Sequence, residues 1–208
     1  MCGIAGIYSH KPVAAELYDS IIHLQHRGQE AAGIMTYDDR MHKEKGTGLA
    51  KEIFNTDNMK LLTGNIGISH NRYPTHGGFS HGEVQPFWTS VPYGIALAHN
   101  GNLTNYHQLA EDITKKDSRY LNTTSDSEVL LHYFADQLHT NNPPESSEEF
   151  FYLLCNAVTK IFKHVKGAYS VVSLVIGKGL VVFRDPQGIR PLVKGERFNG
   201  NGGKDYIF

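Results

Sequence analysis

Residues 1–10 read MCGIAGIYSH and place a cysteine second in the chain, directly before a short apolar run. That run, Gly3–Tyr8, contains two glycines and predicts a strand whose backbone can approach another segment closely. Aminopeptidases remove an initiator methionine when the next residue is small, as Cys2 is. The processed chain would then begin with a thiol and a free α-amine on one residue. An α-amine has an ordinary pKa of about 7.7–8.0, so it can act as a general base for that thiol. The alternative is that Cys2 is merely a small buried residue of the strand.

Length and composition are those of one ordinary globular domain. The chain has 208 residues, with 20 Lys and Arg against 21 Asp and Glu, and no basic stripe that would indicate a nucleic-acid or membrane surface. Its apolar runs are too short to cross a bilayer, and its start lacks the pattern of a secretory signal. Two cysteines, Cys2 and Cys155, form no disulfide framework and no CxxC pair. We therefore expect a cytoplasmic protein, without a metal site in this chain.

The order of predicted elements indicates an α+β fold. Strands dominate both ends of the chain, and helices cluster in two batches between them, over residues 12–24, 105–113, 125–138 and 147–164. A buried strand at 94–99 is predicted to run into a turn at 100–102, and a further strand is predicted at 192–194. This order favours two stacked sheets with helices outside them and excludes a regular alternating βαβ fold.

Four further residues suit the chemistry of an amide substrate. Asn100 and Gly101 offer a side-chain amide and a backbone N–H for a developing oxyanion, although an ordinary Asn-Gly turn is the alternative. Arg72 follows a predicted strand and could bind an α-carboxylate through its planar fork. Asp126 could bind an α-ammonium group, or it could merely stabilise the start of its helix.

Six motifs occur in order along nearly the whole chain: MCGIAGIY, QHRGQEAAGI, ISHNRYPTHGG, AHNGNL, TSDSE and FRDPQGIRPL. Together they resemble the class II glutamine amidotransferases, from Met1 to about Gly195. The resemblance implies the four-layer αββα sandwich of N-terminal-nucleophile (Ntn) hydrolases. It also implies that Cys2 is the nucleophile, that Asn100 and Gly101 form the oxyanion hole, and that Arg72 and Asp126 bind the two charged groups of glutamine.

The same resemblance implies a mobile loop over the substrate at residues 73–84, whose Tyr73, Thr75 and His76 contact glutamine. The His76-Gly77 pair departs from the small residues often found there, but backbone contacts should survive the change. Arg27 is expected to help shape the pocket.

The segments QHRGQEAAGI and DPQGIRPL are most like those members that pass ammonia to phosphoribosyl pyrophosphate, in the first committed step of purine biosynthesis. Such members carry a second, phosphoribosyltransferase domain, which has a strand-linked acidic pair and a phosphate-binding loop. Neither feature is found in residues 1–208, so we expect a glutaminase domain that is part of a longer protein. The resemblance implies Mg²⁺, in some members an iron–sulfur cluster, and homo-oligomers for the full-length enzyme, with no cofactor in this chain.

Two other functions remain open at this stage. One is a class II amidotransferase that feeds ammonia to a sugar phosphate or to aspartate, which the sequence after Phe208 would reveal. The other is a non-catalytic module that binds an amino acid on a degenerate hydrolase fold. An unreactive or blocked Cys2 would favour the second.

Overall fold

Two antiparallel sheets form the centre of the molecule. The computed structural model describes residues 1–73, 81–116, 119–200 and 202–208. Within these ranges the strands are β1 (Gly3–Tyr8), β2 (Ala31–Tyr37), β3 (Met41–Thr47), β4 (Ile66–Arg72), β5 (Phe87–Thr89), β6 (Ile95–Leu103), β7 (Gly167–Val175), β8 (Gly179–Arg184), β9 (Gly195–Phe198) and β10 (Lys204–Ile207). One sheet has the order β3-β2-β4-β1-β10-β9, and the other has the order β5-β6-β7-β8.

Helices cover the outer face of each sheet. They are α1 (Ala14–His23), α2 (Ala50–Ile53), α3 (Thr56–Met59), α4 (Tyr106–Lys116), α5 (Asp126–Leu138) and α6 (Ser147–His164), with 3-10 turns at Gln25–Arg27 and His81–Glu83. One apolar cluster packs α1 against the six-stranded sheet, and another packs α4, α5 and α6 against the four-stranded sheet. A third cluster, with Met35, Ile68 and Val172 among its members, fills the space between the sheets. The layers therefore run α, β, β, α, which confirms the predicted fold.

The strand that follows Cys2 lies inside the larger sheet. β1 pairs with β4 on one side and with β10 on the other, and Gly3 stands opposite Asn71. Arg72, the next residue of β4, is thereby brought beside the start of β1. The strand at the far edge, β3, reads MHKEKGT, and charged side chains of this kind protect an exposed sheet edge from pairing with other chains.

The two long helices begin where their polar caps predict. Ser125 precedes α5, and its hydroxyl accepts the N–H of Ser127 at 3.3 Å. Ser146 precedes α6 and accepts the N–H of Glu149 at 3.1 Å. Such caps satisfy amide groups that have no partner within the helix, so the starts of both helices are well defined by local sequence.

Two local predictions were wrong. Residues 100–102 do not form a turn, because β6 continues to Leu103 and Asn100 pairs with Ser170 of β7. Residues 192–194 are not a strand either, and β9 begins only at Gly195. In both places the pairing partner, rather than the local residue preference, decides where the strand lies.

Among the helices of the described residues, none has both the length and the apolar character that a membrane crossing requires.

Candidate active site

Cys2 lies at the beginning of β1, where two neighbouring segments hold it. Its Sγ accepts the backbone N–H of Tyr73 at 3.5 Å, and its carbonyl oxygen accepts Arg27 Nε–H at 3.1 Å. Gly28 allows the Arg27 turn to come this close: a Cβ at Gly28 would lie 2.5 Å from the carbonyl carbon of Arg72. Both the backbone and the thiol of Cys2 are therefore held in place. The half-buried thiol keeps partial access to solvent.

The electrostatic surroundings of the thiol contain both charges of the predicted substrate pocket. Burial raises the pKa of Cys2, while the Tyr73 N–H, the N-terminal amine and Arg72 act in the opposite direction, and Asp126 adds to the rise. The pKa of the Met1 amine is lowered, first by burial and then by the charges of Arg27 and Arg190. This shift belongs to the amine of Met1. The general base predicted from sequence is the amine of Cys2, which is free only after Met1 is removed.

A cavity of about 610 Å³ opens beside Cys2. Arg27 and Asn100 line it together with Cys2, and its remaining wall is mostly apolar, from the end of α1 and from residues 191–195. Arg72 and Asp126 lie outside this wall, although both act on the thiol through their charge. The thiol therefore borders a mostly apolar cavity and also lies within the electrostatic influence of two charged side chains that do not line it.

Arg72 is oriented by an ion pair. Its Nη2 donates to Oε2 of Glu83 at 2.8 Å, and both side chains are nearly buried. The other carboxylate oxygen of Glu83 accepts the hydroxyl of Thr124 at 3.1 Å. Glu83 therefore connects the residue that would bind the α-carboxylate of a substrate to the TSDSE motif that contains Asp126.

Asp126 is the first residue of α5, where its charge favours the helix start as the alternative interpretation from sequence proposed, but its side chain also has a second role. Ser125 caps α5, whereas Oδ2 of Asp126 accepts the N–H of Leu103 at 3.0 Å, at the end of β6. The side chain remains 22% exposed, so its other oxygen can still meet a ligand. The strand end and the helix start are joined through this carboxylate.

Asn100 and Gly101 lie within β6, the strand that faces the start of β1. Asn100 is buried and lines the cavity beside Cys2. At Gly101 an added Cβ would lie 2.1 Å from the carbonyl oxygen of Ala168 and 2.7 Å from Cα of Tyr169. Glycine is required here because β7 passes too close for any side chain, and a left-handed backbone plays no part.

The structure brings together most of the residues predicted from sequence. Cys2, Arg27, Arg72, Tyr73, Asn100 and Asp126 converge as described, with Gly101 following Asn100 in β6. Thr75 and His76 lie outside the described residues, so their predicted contacts stay predictions. Glu83 and Gln85 precede β5, belong to none of the six motifs and were not predicted from sequence as residues of the site. Only their buried partners reveal them.

One group among the described residues could gather metal-ligating atoms. Asp38, Asp39 and His42 lie around the turn between β2 and β3, where both carboxylates are exposed. Oδ1 of Asp38 already contacts Nε2 of His42 at 2.9 Å. In the register of the sheet, Tyr37 stands opposite Ile66 and Ala31 opposite Arg72, so this group lies at the opposite end of β4 from Arg72. It has no connection to the chemistry around Cys2.

Comparison with known proteins gives concordant results. The model of a family described as "Glutamine amidotransferase domain" matches residues 70–202. An amidophosphoribosyltransferase of Pseudomonas aeruginosa is 48% identical over 203 residues, which are 97% of this chain and 40% of that protein. One of Haemophilus influenzae is 48% identical over 211 residues, which are 100% of this chain and 41% of that protein.

A solved structure shares the fold. It is the glutamine phosphoribosylpyrophosphate amidotransferase of B. subtilis complexed with ADP and GMP, with a TM-score of 0.77 and 30% identity, and the match covers 99% of this chain and 41% of that one. The chain therefore spans about two-fifths of the length of the relatives that it matches.

Proposed function

The chain belongs to the glutamine amidotransferase domain family, and on that premise we propose that it hydrolyses glutamine to glutamate and ammonia, with Cys2 as the nucleophile. The observation that carries this proposal is the convergence of unlike groups on one thiol. The backbone N–H of Tyr73 contacts Sγ of Cys2, and the guanidinium of Arg27 binds the carbonyl oxygen of Cys2. The opposite charges of Arg72 and Asp126 both act on the thiol.

Glutamine recognition follows from the charges. The α-carboxylate of glutamine would bind the guanidinium of Arg72, which Glu83 holds in a fixed orientation. The α-ammonium group would bind Asp126, whose second oxygen is fixed by Leu103. Thr75 and His76, together with Tyr73, would contact the bound substrate from the loop above it. The side-chain amide would then face Cys2.

The reaction proceeds through a thioester. After removal of Met1, the α-amine of Cys2 takes the thiol proton, and the sulfur attacks the amide carbon of glutamine. The oxyanion is stabilised by the side chain of Asn100 and the N–H of Gly101. Collapse of this intermediate breaks the C–N bond, and the protonated amine gives its proton to the leaving ammonia. Water then attacks the thioester, which releases glutamate and restores the thiol.

The likeness to amidophosphoribosyltransferases supports a more specific proposal for the full-length protein. Ammonia from Cys2 would displace pyrophosphate from phosphoribosyl pyrophosphate and give 5-phosphoribosylamine, the first committed step of purine biosynthesis. Mg²⁺, an iron–sulfur cluster in some members, and assembly into homo-oligomers would belong to that longer protein. A cytoplasmic location stays a prediction from sequence.

The proposal is tested by the intact mass of the chain before and after treatment with 6-diazo-5-oxo-L-norleucine, an electrophile shaped like glutamine. We expect a starting mass without Met1 and a single adduct, mapped to Cys2 and prevented by excess glutamine. Cys155→Ser is the matched control, because it removes the other thiol of the chain and should leave labelling unchanged. A free Cys2 that stays unlabelled would contradict the proposal and favour a non-catalytic binding module.

A further inference from the structure

Gln85 is a buried residue that the reaction does not use, yet its side-chain amide makes both kinds of hydrogen bond. Its Oε1 accepts the backbone N–H of His99 at 2.8 Å, and its Nε2 donates to the hydroxyl of Ser127 at 3.0 Å. The same Nε2 lies 3.5 Å from the carbonyl oxygen of His99. Gln85 is only 6% exposed, so water cannot replace these contacts readily.

The position of Gln85 in the sheet explains this pairing. β5 pairs with β6 from Phe87, which stands opposite Leu97. Two further residues in the same register would place Gln85 opposite His99, but Pro86 has no N–H to continue the ladder. The side chain of Gln85 therefore replaces backbone pairing along the last part of β6 that leads into Asn100.

The two partners of Gln85 flank residues of the proposed site. His99 directly precedes Asn100, and Ser127 directly follows Asp126. They also contact each other: Nδ1 of His99 lies 2.9 Å from Oγ of Ser127. Ser127 Oγ–H can donate to Oδ1 of Asp126, at 3.4 Å. The amide of Gln85 thus adds a second connection between the strand that holds the oxyanion donors and the helix start that holds the ammonium-binding carboxylate, besides the bond from Leu103 N–H to Asp126.

The charge state of this cluster favours a fixed arrangement. Burial lowers the pKa of His99, against the opposing effect of Asp126, so its ring is neutral at neutral pH. Gln85 Nε2–H donates to the hydroxyl oxygen of Ser127. The hydroxyl proton of Ser127 goes to Nδ1 of His99 when that nitrogen is unprotonated, and to Oδ1 of Asp126 when Nδ1 carries the ring proton and donates to the hydroxyl. Each hydrogen bond in the cluster depends on its neighbours.

We propose that Gln85 is a positioning residue for glutamine, which sets, together with the bond from Leu103 to Asp126, the separation between the oxyanion donors of β6 and the ammonium-binding carboxylate of α5. The inference rests on the proposed glutaminase function. Glutamine has its amide and its ammonium group at opposite ends, so both contacts can form together only at one separation. Reagents that need Cys2 alone do not depend on this distance.

The test compares two electrophiles on the full chain. 6-Diazo-5-oxo-L-norleucine has the charged groups of glutamine, whereas iodoacetamide is small and uncharged. Gln85→Met keeps the length of the side chain and removes its hydrogen bonds, and Ser127→Ala removes the other end of the link. We expect each variant to slow labelling of Cys2 by the glutamine analogue about 10-fold or more, because misplacement by about 1 Å can cost up to 10²-fold. Labelling by iodoacetamide should stay within about twofold.

Two controls separate positioning from general damage. Ser173→Ala removes a buried hydrogen bond to the carbonyl oxygen of Ala96, a residue of β6 whose side chain packs between the two sheets. It should leave the ratio of the two labelling rates unchanged. The double variant of Gln85 and Ser127 should be no slower than the slower single variant, because both act through one link.

The outcomes distinguish the two proposals. If the unsubstituted chain is labelled with protection by glutamine, and both variants match its rates, the role of Gln85 is overturned while the glutaminase proposal stands. If the variants slowed labelling by both electrophiles equally, the positioning role of Gln85 would also be overturned, because the substitutions would then change the reactivity of Cys2 itself. If the unsubstituted chain is not labelled by the glutamine analogue, both proposals fail together.

Discussion

The substitution Gly101→Ala tests how closely β6 and β7 must approach for the site to form. The new Cβ would lie 2.1 Å from the carbonyl oxygen of Ala168, and 2.7 Å from Cα of Tyr169, so it meets backbone that cannot rotate away. To bring this Cβ to an ordinary contact distance from the Ala168 oxygen, β6 and β7 must separate locally by roughly 1 Å. Overpacking of this kind destabilises a protein by about 1–3 kcal/mol, and we expect the free energy of unfolding to fall by that amount.

The same displacement should affect reactivity more than stability. Asn100 and the N–H of Gly101 would move with the strand, and an error of about 1 Å in the placement of reacting groups can cost about 10²-fold in rate. The measurements are urea unfolding and the rate of Cys2 labelling by 6-diazo-5-oxo-L-norleucine. Gly46→Ala is the matched control, another strand glycine, where the added Cβ meets only the side chain of Ile53 at 3.3 Å. If both variants had the same stability and the same labelling rate, β6 and β7 would not need this close approach for the site to form.

Three further predictions concern single residues. Burial would raise the pKa of Glu128, but hydrogen bonds lower it to about 2. Its contribution to stability, on the order of 3 kcal/mol, is therefore complete above the ordinary pKa of 4.5 and is lost as pH falls through about 2. In urea unfolding, the free energy of unfolding of Glu128→Gln should be lower than that of the unsubstituted chain at neutral pH. The two values should converge in acid. Phe134 is fully buried, so Phe134→Ala should lower the free energy of unfolding by about 3–5 kcal/mol. Phe198 is 80% exposed, so Phe198→Ala should change the free energy of unfolding by less than about 0.5 kcal/mol. Equal effects of the two substitutions would contradict the assignment of Phe134 to the core. In a chain that retains Met1, burial and then the charge of Arg27 lower the pKa of the Met1 amine, so Arg27→Met should raise that pKa; an unchanged pH profile for acylation of that amine would count against this.

Much of the fold follows from local patterns. The helix predicted at 125–138 is observed as α5, because Ser125 and the apolar spacing after it act within one helix. The strand at Gly3–Tyr8 was likewise predicted within its observed bounds. Asn100 and Gly101 show the limit of such patterns. Asn-Gly favours a turn when only neighbouring residues are considered, but pairing with β7 extends the strand through both.

Only those residues of the site that lie within the six motifs could be predicted from sequence. Arg72 and Asp126 were identified by charge and by their place beside a strand end and a helix start. Glu83 and Gln85 were not identified, because a carboxylate and an amide in a predicted loop have no distinctive local pattern. Their hydrogen-bond partners lie in or next to β4, β6 and α5. No regular residue spacing in the sequence shows that these three elements meet.

The neighbours of β1 impose an order of events during synthesis. Its second partner, β10, lies almost at the opposite end of the chain, and the N–H of Phe208 bonds to the carbonyl oxygen of Gly6. At about 5–20 residues per second, synthesis needs roughly 10–40 s to deliver this partner. During that interval the N-terminus is open to aminopeptidase. In the folded chain Met1 is 53% exposed, and Arg190 contacts its Sδ at 2.7 Å. Met1 is therefore accessible for removal even before β10 pairs with β1.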